Sequence, residues 1–249
     1  MRALVTNDDG IHGRGLSALA AAAVEAGLDV TVAAPSWDSS GASASLTAVE
    51  RDGRFLLSAE ALPGLADVKA YGVEAAPAFI VRAAVRGAFG HEPDLVLSGI
   101  NHGPNTGHAV LHSGTVGAAL TAATFGKRAA AFSLDASASP HWDTAQSVAR
   151  DVIAWLMDTD EAVTLNVNVP DVAMDELRGL RQARLSAFGA VQANVTDTGE
   201  GYIKLAFTEI DADPEPGTDS AFLADGYACF TPLRAACEST MALPLERAG

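Results

Sequence analysis

Short apolar runs alternate with helical patterns through the first half of the chain. Residues 3–6 read as a buried strand, 16–26 as an alanine-rich helix ended by Gly27, and 30–33 as a second strand stopped by Pro35. The rhythm returns with a strand at 68–71, a helix at 78–89, a buried strand at 95–97, a helix at 116–125 and a strand at 129–132. Strands that are apolar throughout are covered on both faces, and strands alternating with helices build parallel sheets. The pattern predicts an α/β, Rossmann-like, mostly parallel sheet with helices on both faces.

The second half has a different texture. Residues 142–157 read as a long amphipathic helix, and 163–169 alternate around Asn166 and Asn168 before Pro170. Residues 185–210 look like extended β-hairpin arms with turns, and the acidic, proline-bearing stretch 211–219 reads as an exposed loop. That stretch superficially matches a calcium loop, but Pro216 stands where glycine is required and Phe222 where a bidentate glutamate is required. The division that follows is one α/β domain over 1–249, with a core to about residue 170 and a C-terminal extension over 171–249.

Composition narrows the partners. A length of 249 residues and a hydrophobic content of 49% support a sizeable core, which disfavours disorder. A formal net charge of −15 repels nucleic-acid phosphates, so no polynucleotide partner is expected. A metal can still invert that charge locally for a small anionic substrate. No apolar run reaches the roughly 18 residues of a membrane span, and Arg2 leads at once into strand and loop rather than a signal peptide. No membrane partner and a cytoplasmic location are the expectations. Cys229 and Cys237 have no redox or metal-ligand spacing.

Chemistry concentrates where strands end. Asp8 and Asp9 follow the first strand directly and precede Gly10. Acids before glycine also make turns and helix caps, but adjacent carboxylates repel unless a cation or shared proton relieves them. Their place at a strand end favours an oxygen-ligand metal site. The nearby Gly10, Gly13 and Gly15 do not form G-x-G-x-x-G, so a dinucleotide fingerprint is disfavoured. The serine-rich stretch 39–45 follows the second strand. It is either a flexible polar loop or a source of a neutral hydroxyl ligand. Residues 97–107, with Asn101, His102 and Asn105 among three glycines, offer amide ligands and close backbone approach, or simply a glycine-rich connection. His112-Ser113-Gly114-Thr115 precedes a helix, as an ordinary N-cap or a phosphate cradle. Ser113 lacks the G-x-S-x-G elbow of a hydrolase nucleophile. His102, His108 and His112 fit no zinc spacing, so a hard-cation site is the better match. Acids, hydroxyls, amides and a helix N-terminus together are what metal-assisted phosphate ester hydrolysis needs.

These segments resemble a known family. Thr6-Asn7-Asp8-Asp9-Gly10, the stretch from Ala34-Pro35 to Thr47, Ser98-Gly99-Ile100-Asn101-His102-Gly103 and Leu111-His112-Ser113-Gly114-Thr115-Val116 are similar in order and spacing to the SurE survival-protein nucleotidases. The likeness continues through Leu165-Asn166-Val167-Asn168-Val169-Pro170, Gly217-Thr218-Asp219, Gly226-Tyr227 and Thr231-Pro232-Leu233. The resemblance implies a Rossmann-like core, a C-terminal extension used in oligomerisation, and a divalent-cation-dependent phosphatase acting on nucleoside monophosphates. By motif position it implies catalytic Asp8 and Asp9, and a Mg or Mn ion on Asp8, Asp9, Ser40 and Asn101. Asn7, Gly41, Asn105, Ser113, Gly114 and Thr115 would contact phosphate or substrate. The chain departs from the family's pattern at Phe79, where an acid is usual, at Ala44 in the serine loop, where histidine is usual, and at Ser36.

The reading that follows is a metal-dependent phosphomonoesterase of the 5′-nucleotidase type, with 3′ esters left open as further substrates. Its rival is a non-catalytic nucleotide- or phosphate-binding protein on the same scaffold, motivated by Phe79 and Ala44. An aspartyl-phosphate phosphatase is disfavoured because its D-x-D arrangement is missing. The arms over 185–207 have too little compact helix to cover themselves, so a homodimer or homotetramer is expected.

Overall fold

In chain order the elements are β1 (Arg2–Thr6), α1 (Arg14–Glu25), β2 (Asp29–Pro35), β3 (Glu50–Arg51), β4 (Arg54–Phe55), β5 (Leu57–Glu60), β6 (Lys69–Val73), α2 (Pro77–Ala84) and β7 (Leu95–His102). A 3₁₀ helix (Gly107–His112) leads into α3 (Gly114–Ala123), β8 (Arg128–Asp135), α4 (Trp142–Asp158) and β9 (Thr164–Pro170). There follow β10 (Leu180–Gln182), β11 (Val191–Gly199), β12 (Tyr202–Glu209), α5 (Asp219–Ala224) and β13 (Ala228–Leu233). The structure is a computed structural model and describes residues 1–187, 191–199, 202–209 and 214–238.

Among the described residues, nine strands form one sheet in the order β10-β13-β9-β8-β7-β1-β2-β6-β5. The central run from β9 to β6 is parallel throughout. The edges are antiparallel additions, β5 on β6 and β13 on β9. The sheet is mostly parallel with helices on both faces, the α/β Rossmann-like class read from the apolar rhythm. The helices explain the coverage. In α1, Leu16, Leu19, Ala20 and Ala23 recur at helical spacing and are buried. In α4, Ala145, Val148, Ala149, Val152, Ile153 and Leu156 do the same. These two helices share one apolar cluster on one face of the sheet. Residues of α2 and α3, such as Ile80, Val81, Val116 and Ala119, make a second cluster on the other. Truncating a core leucine such as Leu19 to alanine costs about 2–5 kcal/mol by the usual cavity effect.

The C-terminal region departs from the sequence pattern in two ways. Only part of it is an arm: β11 and β12 pair antiparallel as a two-stranded ribbon. The rest returns to the main sheet, where β13 covers the edge of β9 and β10 covers part of β13. The second departure concerns the acidic stretch 211–219, of which 211–213 lie outside the described residues. Residues 214–217 are exposed as expected, but Thr218 and Asp219 are fully buried. The Asp219 carboxylate begins α5 and accepts hydrogen bonds from the backbone N–H groups of Gly107 at 2.8 Å and of Ser186 and Ser220 at 2.9 Å. Three backbone donors satisfy this buried carboxyl group.

Candidate active site at the switch point of the sheet

From β1 the chain builds outward to β2 and β6 on one side, and then to β7, β8 and β9 on the other. The reversal of strand order falls between β1 and β7, and open α/β sheets bind ligands outside the carboxyl ends of the strands at that point. Asp8 and Asp9 lie just past the end of β1, and Asn101 lies near the end of β7. The pairing of β7 with β8 shifts register between Ser98 and Asn101 and resumes with Asn101 opposite Ser133.

Asp8 is 3% exposed and sits on the N-terminus of α3. Its carboxylate accepts from the Thr115 N–H at 3.1 Å and, through a short bond, from the Thr115 hydroxyl. Gly114 is required here: a Cβ at that position would fall 2.8 Å from the Asp8 carboxylate oxygen. Thr115 also reaches the second strand end, since its hydroxyl lies 3.4 Å from Asn101 Oδ1. Asn101 Nδ2 donates to Gly103 O at 2.8 Å, which leaves Oδ1 facing the carboxylate side. Asp8, Thr115 and Asn101, 107 and 14 residues apart in sequence, therefore meet at one point.

Asp9 is less enclosed and accepts from the His102 N–H at 3.3 Å. Burial raises the Asp8 carboxyl pKa, opposed by the Thr115 hydrogen bonds. Burial, and after it the Asp8 charge, push Asp9 up to about 6, with the His102 N–H working against them. Two neighbouring carboxylates both displaced toward the neutral form are a pair that a cation would relieve.

The serine loop lies against this pair. Ser39 donates its N–H to the Asp8 carbonyl at 2.7 Å and its hydroxyl to the same oxygen at 3.2 Å. Ser40 is exposed, and its hydroxyl and N–H donate to Asp38 at 2.6 and 2.9 Å. Those hydrogen bonds hold the Asp38 carboxyl below its usual range. Gly41 follows in an exposed turn. Ser43 ties the loop to the approach of α3, donating to the carbonyls of Leu111 at 2.7 Å and His112 at 3.2 Å.

The residues read as phosphate or substrate contacts are distributed as follows. Asn7 is fully buried; its Nδ2 donates to Gly10 O at 3.0 Å, and its Oδ1 has no partner among the described residues. Ser113 caps α3 by accepting from the Val116 N–H at 3.1 Å, which leaves its hydroxyl proton to donate elsewhere. The donors of Thr115 are committed to Asp8. Asn105 is clamped: its N–H donates to Asn168 Oδ1 at 2.8 Å, its Nδ2 donates to Ser133 Oγ at 2.8 Å, and its carbonyl accepts from Asn166 at 2.7 Å and Asn168 at 3.0 Å. Sequence reasoning assigned no role to Asp38, Ser133, Asn166, Asn168 or Asp219. The two-residue spacing of Asn166 and Asn168, which puts both on one face of β9, was the available signal. Phe79, a departure that motivates the non-catalytic alternative, packs on Phe55 at 4.6 Å in a groove of about 470 Å³ lined by none of the candidate site residues.

The donors suit a hard divalent cation. Among the described residues there is no cluster of three His, Cys, Asp or Glu side chains. What converges is two carboxylates with an amide oxygen, and oxygen donors of this kind suit hard divalent cations.

Similarity to known proteins agrees with this geometry. The survival protein SurE family model matches residues 3–190. The 5′-nucleotidase SurE of Methylococcus capsulatus is 38% identical over 239 residues, covering 94% of this chain and 91% of that protein. The 5′-nucleotidase SurE of Laribacter hongkongensis is 38% identical over 238 residues, covering 94% and 92%. The crystal structure of the SurE protein from Aquifex aeolicus superposes with a TM-score of 0.77 at 29% identity, covering 94% of this chain and 93% of that one. The motifs, the strand order and these matches converge on one assignment: the chain belongs to the SurE survival-protein family.

Proposed function

We propose that this protein is a divalent-cation-dependent 5′-nucleotidase that hydrolyses nucleoside monophosphates to nucleoside and phosphate. The curated relatives bear that activity in their names. The observation that carries the proposal is the meeting of Asp8 and Asn101 on Thr115 at the switch point, beside Asp9.

The proposed donors to Mg or Mn are Asp8, Asp9, Asn101 and Ser40, the last requiring its hydroxyl to turn from Asp38. When bound, the ion would neutralise charge and polarise the phosphoryl oxygen. The chain's own residues do the positioning. Thr115 and the N-terminus of α3 fix Asp8 in one orientation. The Asn166, Asn168 and Ser133 clamp holds the Asn105 segment rigid for contact with the phosphate. Preorganised donors of this kind lower the barrier without reorganising during the reaction. Ser113, with its free hydroxyl proton, is a second phosphate contact.

Assembly as a homodimer or homotetramer belongs to the same proposal, supported by the β11–β12 ribbon, which pairs only with itself among the described residues. No helix among the described residues is long and apolar enough to cross a membrane. A cytoplasmic location is supported by Cys229 and Cys237, both free thiols.

A colorimetric phosphate-release assay across the nucleoside monophosphates, with and without Mn(II), tests the function. Release that depends on the ion and disappears with chelator is expected. Nucleotide binding without release under any metal would establish the non-catalytic alternative instead.

A further inference from the structure

A cleft of about 330 Å³ opens directly off Asp9. Its walls are His102, Trp142, Arg14, Gly13, Gly15 and Pro140. Given the nucleotidase function proposed above, on which this rests, we propose that the cleft between His102 and Trp142 receives the base of the nucleotide, with Trp142 as the stacking platform.

Three observations carry it. The first is chemistry at the right place. The rings of His102 and Trp142 lie 6.2 Å apart at 49°, and His102 is tethered to the carboxylate pair through its N–H bond to Asp9. A phosphate held at Asp8 and Asn101 therefore has an aromatic wall within one nucleoside's reach. Aromatic side chains take any base on their faces, because every base has a π-face.

The second is that Trp142 is rigidly presented. It is the first residue of α4, and the segment before it is pinned by Asp171, which accepts from the N–H groups of Ser137 and His141 at 2.7 Å and pairs with the His141 ring at 2.8 Å. Its ring rests on Gly15 of α1, where a Cβ would come within 2.9 Å of it. The ring remains only half-buried, and its indole N–H donates to nothing among the described residues. A tryptophan fixed by two helices, with a free face and a free donor, is built for contact rather than for core packing.

The third is Arg14. It is exposed at the rim and has no ion-pair partner among the described residues, in a chain of net charge −15. Guanidinium carries donors only, so it matches ring nitrogens and carbonyls of bases or a second face for stacking. With no dedicated hydrogen-bond frame in the cleft, discrimination between bases is weak, and purines are favoured over pyrimidines by their larger stacking area.

The test compares adenosine 5′-monophosphate with ribose 5-phosphate, which carries the same ester and no base. Trp142→Ala lowers the ratio of kcat/KM for the nucleotide over the sugar phosphate by about tenfold or more, mainly through KM, and Trp142→Phe restores most of it. Equal losses on both substrates, or no loss on either, overturn the proposal. A second arm needs no turnover: adenosine quenches the tryptophan fluorescence of the wild type, and this quench is lost in Trp142→Phe. Equal quenching in both proteins also overturns it. A wild type that releases phosphate from neither substrate defeats the nucleotidase function instead, and the quench still decides the cleft.

Discussion

The rim of the sheet at β1 and β7 and the ribbon of β11 and β12 are built on opposite principles. At the rim, polar groups from segments up to 112 residues apart are buried and tied to one another: Asp8 to Thr115, Asn105 to Asn168, Gly107 to Asp219. In the ribbon, the two strands hydrogen-bond to each other and to no third strand among the described residues. A two-stranded hairpin alone is marginal in water. The rim thus holds its geometry from within one chain, whereas the ribbon is the part that the proposed assembly would cover. On the proposed function, chemistry and assembly fall to separate parts of the molecule.

Changes at the rim should act on turnover and changes in the ribbon on assembly. The largest effect belongs to Asp8→Asn and Asp9→Asn, each of which lowers phosphate release by orders of magnitude while circular dichroism keeps the wild-type α/β signature. Thr115→Val comes next. It removes the hydroxyl that orients Asp8 toward Asn101, and supporting shells of this kind are worth about 10–100-fold in metal affinity or activity. Its loss should be seen in steady-state kinetics and in Mn(II) titration alike. Deleting the β11–β12 ribbon and closing the gap with a short turn leaves the thermal midpoint of the main sheet little changed but reduces the mass seen by light scattering. An unchanged mass would detach the ribbon from assembly.

The smallest effect is on stability against pH in the metal-free protein. Burial and the Asp8 charge raise Asp9 from 3.8 to about 6. Between those values the unfolded chain has released the Asp9 proton while the folded chain keeps it, so the unfolded state binds fewer protons and stability falls as pH rises through this window. Melting in the presence of chelator should show this decline, Asp9→Asn should flatten it, and added Mn(II) should offset it. A midpoint that rises across the same window would contradict the strain assigned to the pair.

The central parallel strands were legible because they are buried on both faces and need continuous apolar runs, as in 95–97 and 129–132. The edges were not. The strand β5 is a short edge with exposed Leu57. In β13, Pro232 argues locally against a strand. It is tolerated because β10 pairs with β13 only as far as Phe230, which leaves Pro232 without a strand neighbour on that side among the described residues. At the proposed site, the adjacent acids stood out through repulsion and Asn101 through its place after a buried strand. The role of Thr115 was hidden. Its local pattern is that of a helix N-terminus ready for an anion, and nothing nearby in sequence says that the anion is the carboxylate of Asp8, brought from 107 residues away by the fold. Trp142 was hidden for the same reason, since on an amphipathic helix it reads as core until Gly15 and His102 are seen beside it.

The most direct test of the carboxylate pair as a cation site is calorimetric titration of Mn(II) into metal-free wild type and Asp9→Asn. Wild type should bind one ion per chain with release of protons, and Asp9→Asn should lose that binding while remaining folded. Binding of the same stoichiometry and affinity in both proteins would contradict the account.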